Sequence, residues 1–182
     1  MSSNNDSSSE KAPWITYRPE LKVLDCTVRD GGLIHAHKFD DRFVRAVYDT
    51  CLAAGVDTME IGYKNSERLF PRDEFGAWRH SREEDIRRVV GDHDAESTGL
   101  TLSAMADASK SDWQTAIGPA SDSVLGMVRV AFYAHQVSEA TDMIRDYIVN
   151  RYGEKFIPKE PNVLKTKKTA HEAHEAIRHT DN

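Results

Sequence analysis

The chain has 182 residues, of which 39% are hydrophobic and 30% are charged, a composition typical of one globular domain with or without tails. Its formal net charge of −6 argues against a dedicated nucleic-acid-binding protein, because such proteins carry a basic surface. No apolar run approaches the roughly 20 residues that cross a membrane, and no apolar signal segment opens the chain. Cys26 and Cys51 lie outside any metal-binding spacing, so we expect buried free thiols in a cytoplasmic protein.

The two ends of the chain differ in composition from its middle. Residues 1–12 are mostly Ser, Asn and Asp and offer little to bury, so we expect a disordered tail. Residues 13–150 carry the apolar periodicity of a folded domain. Residues 151–182 combine prolines with lysines and histidines, and we expect an extended or helical tail there.

Strands and helices are predicted to alternate four times within the middle segment. Helical patterns separate four apolar runs, which we interpret as strands at residues 21–28, 56–63, 99–107 and 123–133. Strands that alternate with helices favour a parallel sheet with right-handed helical crossovers. The sequence therefore predicts an α/β fold.

Capping residues indicate where the helices begin and end. Asp40 or Asp41 is expected to start the first helix, and Gly55 to end it near Ala54. Serines at 81 and 109, each followed three residues later by an acidic residue, have the spacing of capping boxes for the next two helices. Gly31 and Gly32 are expected to end the first strand, because glycine tolerates unusual backbone dihedrals.

Charged side chains occur at or near the ends of the predicted strands. They are Arg29 and Asp30 on the first strand, Glu60 on the second, Asp107 on the third and Arg129 on the fourth. Parallel sheets bind ligands beyond the carboxyl ends of their strands, so these residues predict a site. Two alternatives stay open: Asp107 is equally compatible with a helix start, and Arg129 with an ion pair to an acidic neighbour.

Three motifs carry a resemblance to a known family. The segment 27–31, Thr-Val-Arg-Asp-Gly, resembles the first-strand signature of metal-dependent aldolase and acyl-transferase (β/α)8 barrels, a family that includes 4-hydroxy-2-oxovalerate aldolase and isopropylmalate synthase. Residues 54–62 are similar to its second strand, and residues 128–131 to the fourth strand of its aldolase branch. The resemblance covers residues 21–148 and is closest to bacterial aldolase catalytic domain proteins. It implies the first half, about four strands, of a TIM-type (β/α)8 barrel.

The resemblance also implies a chemistry and a role for each site residue. It implies a lyase that cleaves or forms carbon–carbon bonds of a small 2-oxo acid through a pyruvate-type enolate. Asp30 would bind a divalent metal, Mg or Mn, and Arg29 would stabilise the enolate charge. Glu60 would support Arg29 or the metal-bound waters, and Arg129 would meet a substrate carboxylate.

The chain departs from the family pattern in three ways. The family takes two further metal ligands from a His-x-His pair on a late strand, and no strand is predicted after the fourth. The chain has His35-Ala36-His37 instead, after the first strand, and Leu33 where the aldolases carry a histidine base. A complete barrel needs about 250 residues, so we expect an internal deletion.

These departures leave a second hypothesis, a catalytically inactive half-barrel remnant or interaction module. In either case the open sheet edges suggest that a second copy of the chain, or another protein, covers them.

Overall fold

The structure, a computed structural model, describes residue 18 and residues 20–153. Four parallel strands form one sheet in the order β1-β2-β3-β4. They are β1 (Leu24–Asp25), β2 (Thr58–Tyr63), β3 (Thr101–Asp107) and β4 (Met127–Ala131). The predicted α/β fold of parallel βα units is confirmed. The tail predicted at residues 1–12 lies outside the described residues, as does the tail predicted at residues 151–182 except for residues 151–153, of which the first two end the last helix.

Helices connect the strands and follow the last one. They are α1 (Thr27–Gly31), α2 (Asp41–Ala54), α3 (Glu83–Val90), α4 (Ala95–Thr98), α5 (Trp113–Ala116) and α6 (Val137–Tyr152). Short 3-10 turns occur at Gly32–Ile34, Ala77–Arg79, Ala120–Asp122 and Ala134–Gln136. Within the described ranges, no helix has the length and apolar character needed to span a bilayer.

The predicted ends of α2 are confirmed. The Asp40 carboxylate accepts a hydrogen bond from the Phe43 backbone amide at 2.7 Å, which satisfies one of the free donors of the first turn. Gly55 ends the helix with φ of 67°, a left-handed conformation that glycine adopts without steric cost.

The prediction of a first strand over residues 21–28 is wrong. Strand β1 has two residues, and helix α1 begins immediately after it. The cause is local, because the Asp25 carboxylate accepts hydrogen bonds from both the backbone amide and the hydroxyl of Thr27. This side-chain contact turns the chain out of the strand. Arg29 and Asp30 therefore lie on a short helix rather than on a strand.

The explanation given for Gly31 and Gly32 is also wrong. Both have ordinary right-handed helical dihedrals, with φ of −59° and −62°. Gly32 is required for another reason, since a β-carbon there would lie 2.2 Å from the His37 ring. The fully buried His37 ring packs against this helix and donates from Nε2 to the Arg29 carbonyl at 2.9 Å.

Neither predicted capping box forms. The Ser81 hydroxyl donates to the Trp78 carbonyl, so Arg82 rather than Ser81 precedes α3, without a side-chain cap. The Ser109 hydroxyl donates to the Asp107 carboxylate, within the turn that follows β3. In both places a contact to the preceding segment takes the hydroxyl away from the helix start.

The main hydrophobic core lies between the sheet and helices α2 and α3. Apolar side chains of β2 and β3 alternate along the strands and point into it, with the large Trp78 ring fully buried among them. Its buried strand residues include Met59, Ile61, Leu102 and Ala104. A smaller cluster joins β3 and β4 to α5 and α6, built on Met143 and Tyr147.

Candidate functional site

Glu60 is fully buried on β2 and forms ion pairs with two arginines from other elements. Arg29 of α1 donates from Nε to Glu60 Oε2 at 2.7 Å, and Arg129 Nε of β4 lies 3.1 Å from Glu60 Oε1. We call these three residues the Glu60 cluster. A buried carboxylate needs such partners, because its desolvation is otherwise strongly unfavourable.

The strand register explains how Glu60 and Arg129 meet across the intervening strand. Glu60 pairs in register with Ser103, and Arg129 pairs with Met105 two residues further along β3. Residues two apart on a strand share a face, so all four side chains lie on the same side of the sheet. The short Ser103 side chain leaves room for the ion pair. The opposite face carries Met59 and Ile61 into the core.

Arg29 uses all three of its nitrogen groups. Besides Glu60, it contacts the Asp30 carboxylate through Nη1 and the Cys26 sulfur through Nη2, the latter at 3.3 Å. Burial by itself lowers the pKa of Arg29, but its hydrogen bonds, first that to Glu60, outweigh burial and raise the pKa above its ordinary value. Arg29 is therefore a permanently charged cation in a fixed orientation.

On the side of the Glu60 cluster that faces Arg129, one carboxylate oxygen of Glu60 can still accept a hydrogen bond. Glu60 Oε1 is buried and accepts no hydrogen bond from a described residue, although Arg129 lies at ion-pair distance. The Arg129 side chain is 37% exposed, more than the 13% of Arg29. Arg129 is therefore the more accessible of the two arginines.

Asp30 lies at the edge of the cluster, with its side chain 57% exposed. Within the described part of the chain, no group of three or more His, Cys, Asp or Glu side chains is arranged to hold a metal ion. His37 is buried, with Nε2 bonded to the Arg29 carbonyl, and the exposed His35 accepts from the Lys38 amide. Asp30 could thus offer a metal ion one carboxylate. Asp30, His35 and His37 alone do not form a metal centre.

Asp107, for which two interpretations were open, belongs to a turn. Its carboxylate accepts from the Ser109 amide and hydroxyl and pairs with Lys110 Nζ at 3.0 Å. These contacts fix the segment after β3 and use the carboxylate locally. Asp107 is therefore not part of the Glu60 cluster.

Two neighbours of the cluster were not found from the sequence. The Tyr63 ring at the end of β2 lies 5.9 Å from the Arg29 guanidinium and 4.9 Å from that of the buried Arg79. The Phe70 ring stacks on Arg79 at 4.0 Å. The aromatic residues around Arg79 in the long loop after β2 could have predicted this packing, since arginine packs on aromatic faces.

Comparison with known proteins gives two different likenesses. The fold is similar to a solved structure described as the "N-terminal domain of a putative aldolase" from Bacteroides vulgatus, with a TM-score of 0.50 and 19% sequence identity. The match covers 69% of this chain and 40% of that one. At this identity the likeness concerns the fold, which is an aldolase-like α/β fold. A comparison with models of protein families gave no match.

The second likeness is short and concerns a different enzyme. The chain is 50% identical over 44 residues to DNA topoisomerase 1 of Vibrio cholerae, and 44% identical over 43 residues to that of Escherichia coli. Each match covers 24% of this chain, which spans 5% of the length of those relatives. A shared segment of this size does not carry over the activity of the whole enzyme. It also leaves the prediction of no nucleic-acid partner without support.

Replacing Glu60 by Gln should destabilise the protein strongly. The change leaves two guanidinium groups without their shared counter-charge, and breaking a buried ion pair costs about 3–5 kcal/mol. The same chemical change in Asp49→Asn affects only an exposed pair with Arg45, worth about 0.5 kcal/mol. Urea unfolding of both variants measures the difference. Similar small losses in both would contradict a structural role for the buried pair.

Stability should fall when the pH is lowered from about 6.5 toward 4, in part through His37. Burial lowers the pKa of His37 to about 4, against about 6.5 in an unfolded chain. The unfolded state therefore binds the extra proton first, and the free energy of unfolding decreases across this window. Replacing His37 by Gln should flatten this part of the pH profile, whereas His135→Gln, at an exposed position, should leave it unchanged. An unchanged slope in the His37 variant would refute the assignment.

Proposed function

We propose that the Glu60 cluster takes part in aldolase-type cleavage or formation of a carbon–carbon bond in a small 2-oxo acid. The observation that carries this proposal is a buried carboxylate that fixes two guanidinium groups on one face of the sheet. A 2-oxo acid carries a carboxylate beside a carbonyl, so it offers two adjacent oxygen groups to two cations. The fold likeness to the N-terminal domain described above supports this class of chemistry.

The proposed reaction divides the work between the two arginines. Arg129, which is more exposed, would bind the substrate carboxylate. In a 4-hydroxy-2-oxo acid the bond between C3 and C4 breaks, and its electron pair moves into the carbonyl group to form an enolate. The C4 hydroxyl proton passes to water as the aldehyde forms, and a proton from water adds to C3 of the enolate to give pyruvate. Arg29 would stabilise the enolate oxygen, since its orientation is fixed before the charge develops.

A divalent cation, Mg or Mn, is part of the proposal through Asp30. An exposed carboxylate is a suitable ligand for either ion, and these ions commonly take one or two carboxylates together with substrate oxygens and water. When bound, the ion would supply Lewis-acid polarisation of the carbonyl. The roles of Arg29 and Arg129 do not depend on it.

A non-catalytic role is the second candidate. It is favoured by the finding that, among the described residues, no three or more His, Cys, Asp or Glu side chains are grouped to hold a metal ion, and by the sheet, in which β1 and β4 are the outer strands of the described four. Unpaired outer strands can accept a further strand from another chain. In this case a second copy or a partner protein would pair with the sheet, and the Glu60 cluster would serve stability alone.

Release of pyruvate from 4-hydroxy-2-oxopentanoate distinguishes the two candidates. The wild-type chain should release pyruvate, and Arg29→Lys should lower kcat by about 100-fold or more, because an oriented donor to the oxyanion is lost. Arg42→Lys, at an exposed position on α2, serves as the matched control and should keep full activity. The assay couples pyruvate to lactate dehydrogenase. A folded wild-type protein that releases no pyruvate with Mg or Mn present would support the non-catalytic candidate.

Binding of Mn can be tested without activity. Mn should raise the thermal unfolding midpoint of the wild-type protein, because a ligand at 100 times its Kd stabilises by about 2.7 kcal/mol. Asp30→Asn should abolish the shift, whereas Asp73→Asn, at an exposed position in the loop after β2, should retain it. Calorimetry with and without Mn gives the result. An equal shift in both variants would place the ion elsewhere.

A further inference from the structure

A second polar cleft lies apart from the Glu60 cluster. Its volume is about 590 Å³, and none of the Glu60 cluster residues lines it. This volume is within the range of about 300–1,000 Å³ found for small-molecule sites. Residues 64–66 after β2, residue 80, the start of α3 and residues near α5 form its walls. We call it the Lys64 cleft.

Hydrogen bonds fix two chain segments against each other at the Lys64 cleft. The Asn65 amide donates to the Arg79 carbonyl at 3.2 Å, and His80 Nδ1 lies 2.9 Å from the Asn65 carbonyl. Lys64 Nζ donates to the Ser81 carbonyl at 2.6 Å. The Asn65 backbone and the Lys64 and His80 side chains are therefore held in place before any ligand arrives, which lowers the entropic cost of binding.

Several polar atoms in this frame have no partner among the described residues. Both Oδ1 and Nδ2 of Asn65 are buried and make no hydrogen bond, and the same is true of His80 Nε2. Asn65 is 6% exposed and His80 is 4% exposed. Buried polar groups are nearly always bonded, to protein or to ordered water, so these groups beside the cleft need partners from outside the described residues, which water or a ligand would supply.

Lys64 adds an uncompensated charge to these groups. Its side chain is 6% exposed, and no described carboxylate lies within ion-pair distance of Nζ. Burial is the main cause that lowers the pKa of Lys64; Arg151 acts in the same direction, and Glu83 and Asp85 act in the opposite one. A buried ammonium without a counter-ion is unfavourable, and an anionic ligand would remove this penalty.

The carboxylates that line the cleft are already engaged. Glu83 accepts from the Ser123 hydroxyl and the Val124 amide, and Asp112 accepts from the Ser66 hydroxyl. The remaining two, Glu67 and Glu84, pair with Arg82. The unused bonding capacity of the cleft is therefore that of Lys64, Asn65 and His80, together with Glu67 Oε1, which is ion-paired with Arg82 but accepts no hydrogen bond from a described residue.

The unused atoms define the chemistry of the ligand. Lys64 Nζ and Asn65 Nδ2 are donors suited to a carboxylate. Because the Asn65 carbonyl can only accept, His80 carries a proton on Nδ1, and Nε2 is the ring nitrogen left for a ligand. Asn65 Oδ1 is an acceptor. The ligand therefore needs a carboxylate and, next to it, a hydroxyl donor.

We propose that the Lys64 cleft is a binding site for a small hydroxycarboxylate, with the carboxylate at Lys64 and Asn65 and the hydroxyl at Asn65 or His80. This site is separate from the Glu60 cluster and does not depend on the function proposed for that cluster.

Titration calorimetry with three probes tests the proposal. L-lactate carries both groups, propionate lacks the hydroxyl and 2-propanol lacks the carboxylate. Lactate should bind the wild-type protein, and each of the other two should bind at least about tenfold more weakly, since each loses a hydrogen bond to a buried group. Equal binding of lactate and propionate would overturn the hydroxyl assignment, and the absence of lactate binding would overturn the site.

Two variants and a control assign the binding to this cleft. Lys64→Met keeps the length of the side chain without its charge and should weaken lactate at least about tenfold, while the unfolding midpoint is kept or raised. Asn65→Asp, of equal size, should do the same through repulsion and serves if the first variant does not fold. Lys38→Met, at an exposed position outside the cleft, should bind lactate as the wild type does. Unchanged affinity in both cleft variants, or a loss found only in Arg129→Met, would overturn the proposal.

Discussion

The ion pairs of Glu60 are the constraint on which the arrangement of this protein depends. A fully buried carboxylate is tolerated only when cations and donors replace the water it has lost. Here the two cations come from a short helix near the start of the chain and from the last described strand. Their side chains reach Glu60 because α1 packs beside β2 and because β3, the one strand between β2 and β4, brings Arg129 onto the same face. The strand order and the position of α1 are thus tied to one buried charge.

The same constraint separates the sheet into two faces with different roles. Met59 and Ile61 enter the core, while Glu60 between them faces the opposite side. A slip of one residue in β2 would exchange the faces, burying Glu60 among apolar side chains and removing two large residues from the core. The register is therefore selected twice, once by the hydrophobic core and once by the ion pairs. Ser103 bears on the second, because a larger side chain there would separate Glu60 from Arg129.

Periodic patterns in the sequence predicted the parts of the fold that depend on burial. Helix α2, its capping by Asp40 and the three longer strands follow from apolar spacing and caps, and these are confirmed. The grouping of Arg29, Glu60 and Arg129 followed from placing charges at strand ends, and the structure brings these three together. Their catalytic roles stay a prediction, because spacing and strand position carry no information about substrate.

The parts that sequence reasoning missed depend on side chains that bond to nearby backbone or across long loops. Asp25 and Thr27 end the first strand by a local contact that competes with strand pairing. Ser81 and Ser109 have the spacing of caps, but each bonds to the segment before it instead. The positions of Arg79 and Lys64 depend on loop geometry that no period in the sequence encodes. Of these residues, Lys64 lines the second of the two proposed sites.

The contacts of His37 show why a short histidine motif alone does not identify a metal site in this protein. His35-Ala36-His37 has the spelling of a ligand pair, yet the His37 ring lies against Gly32 and holds the Arg29 carbonyl. Helix α1 has five residues, far fewer than the roughly 12–15 at which an isolated helix becomes marginally stable. Its orientation therefore comes from tertiary contacts, namely Arg29 to Glu60 on one side and His37 to the Arg29 carbonyl on the other. Arg29, whose guanidinium would stabilise an enolate, is thus held both by its side chain and by its backbone carbonyl. A change at His37 would act on Arg29 without touching a substrate, which makes His37 a positioning residue rather than a ligand.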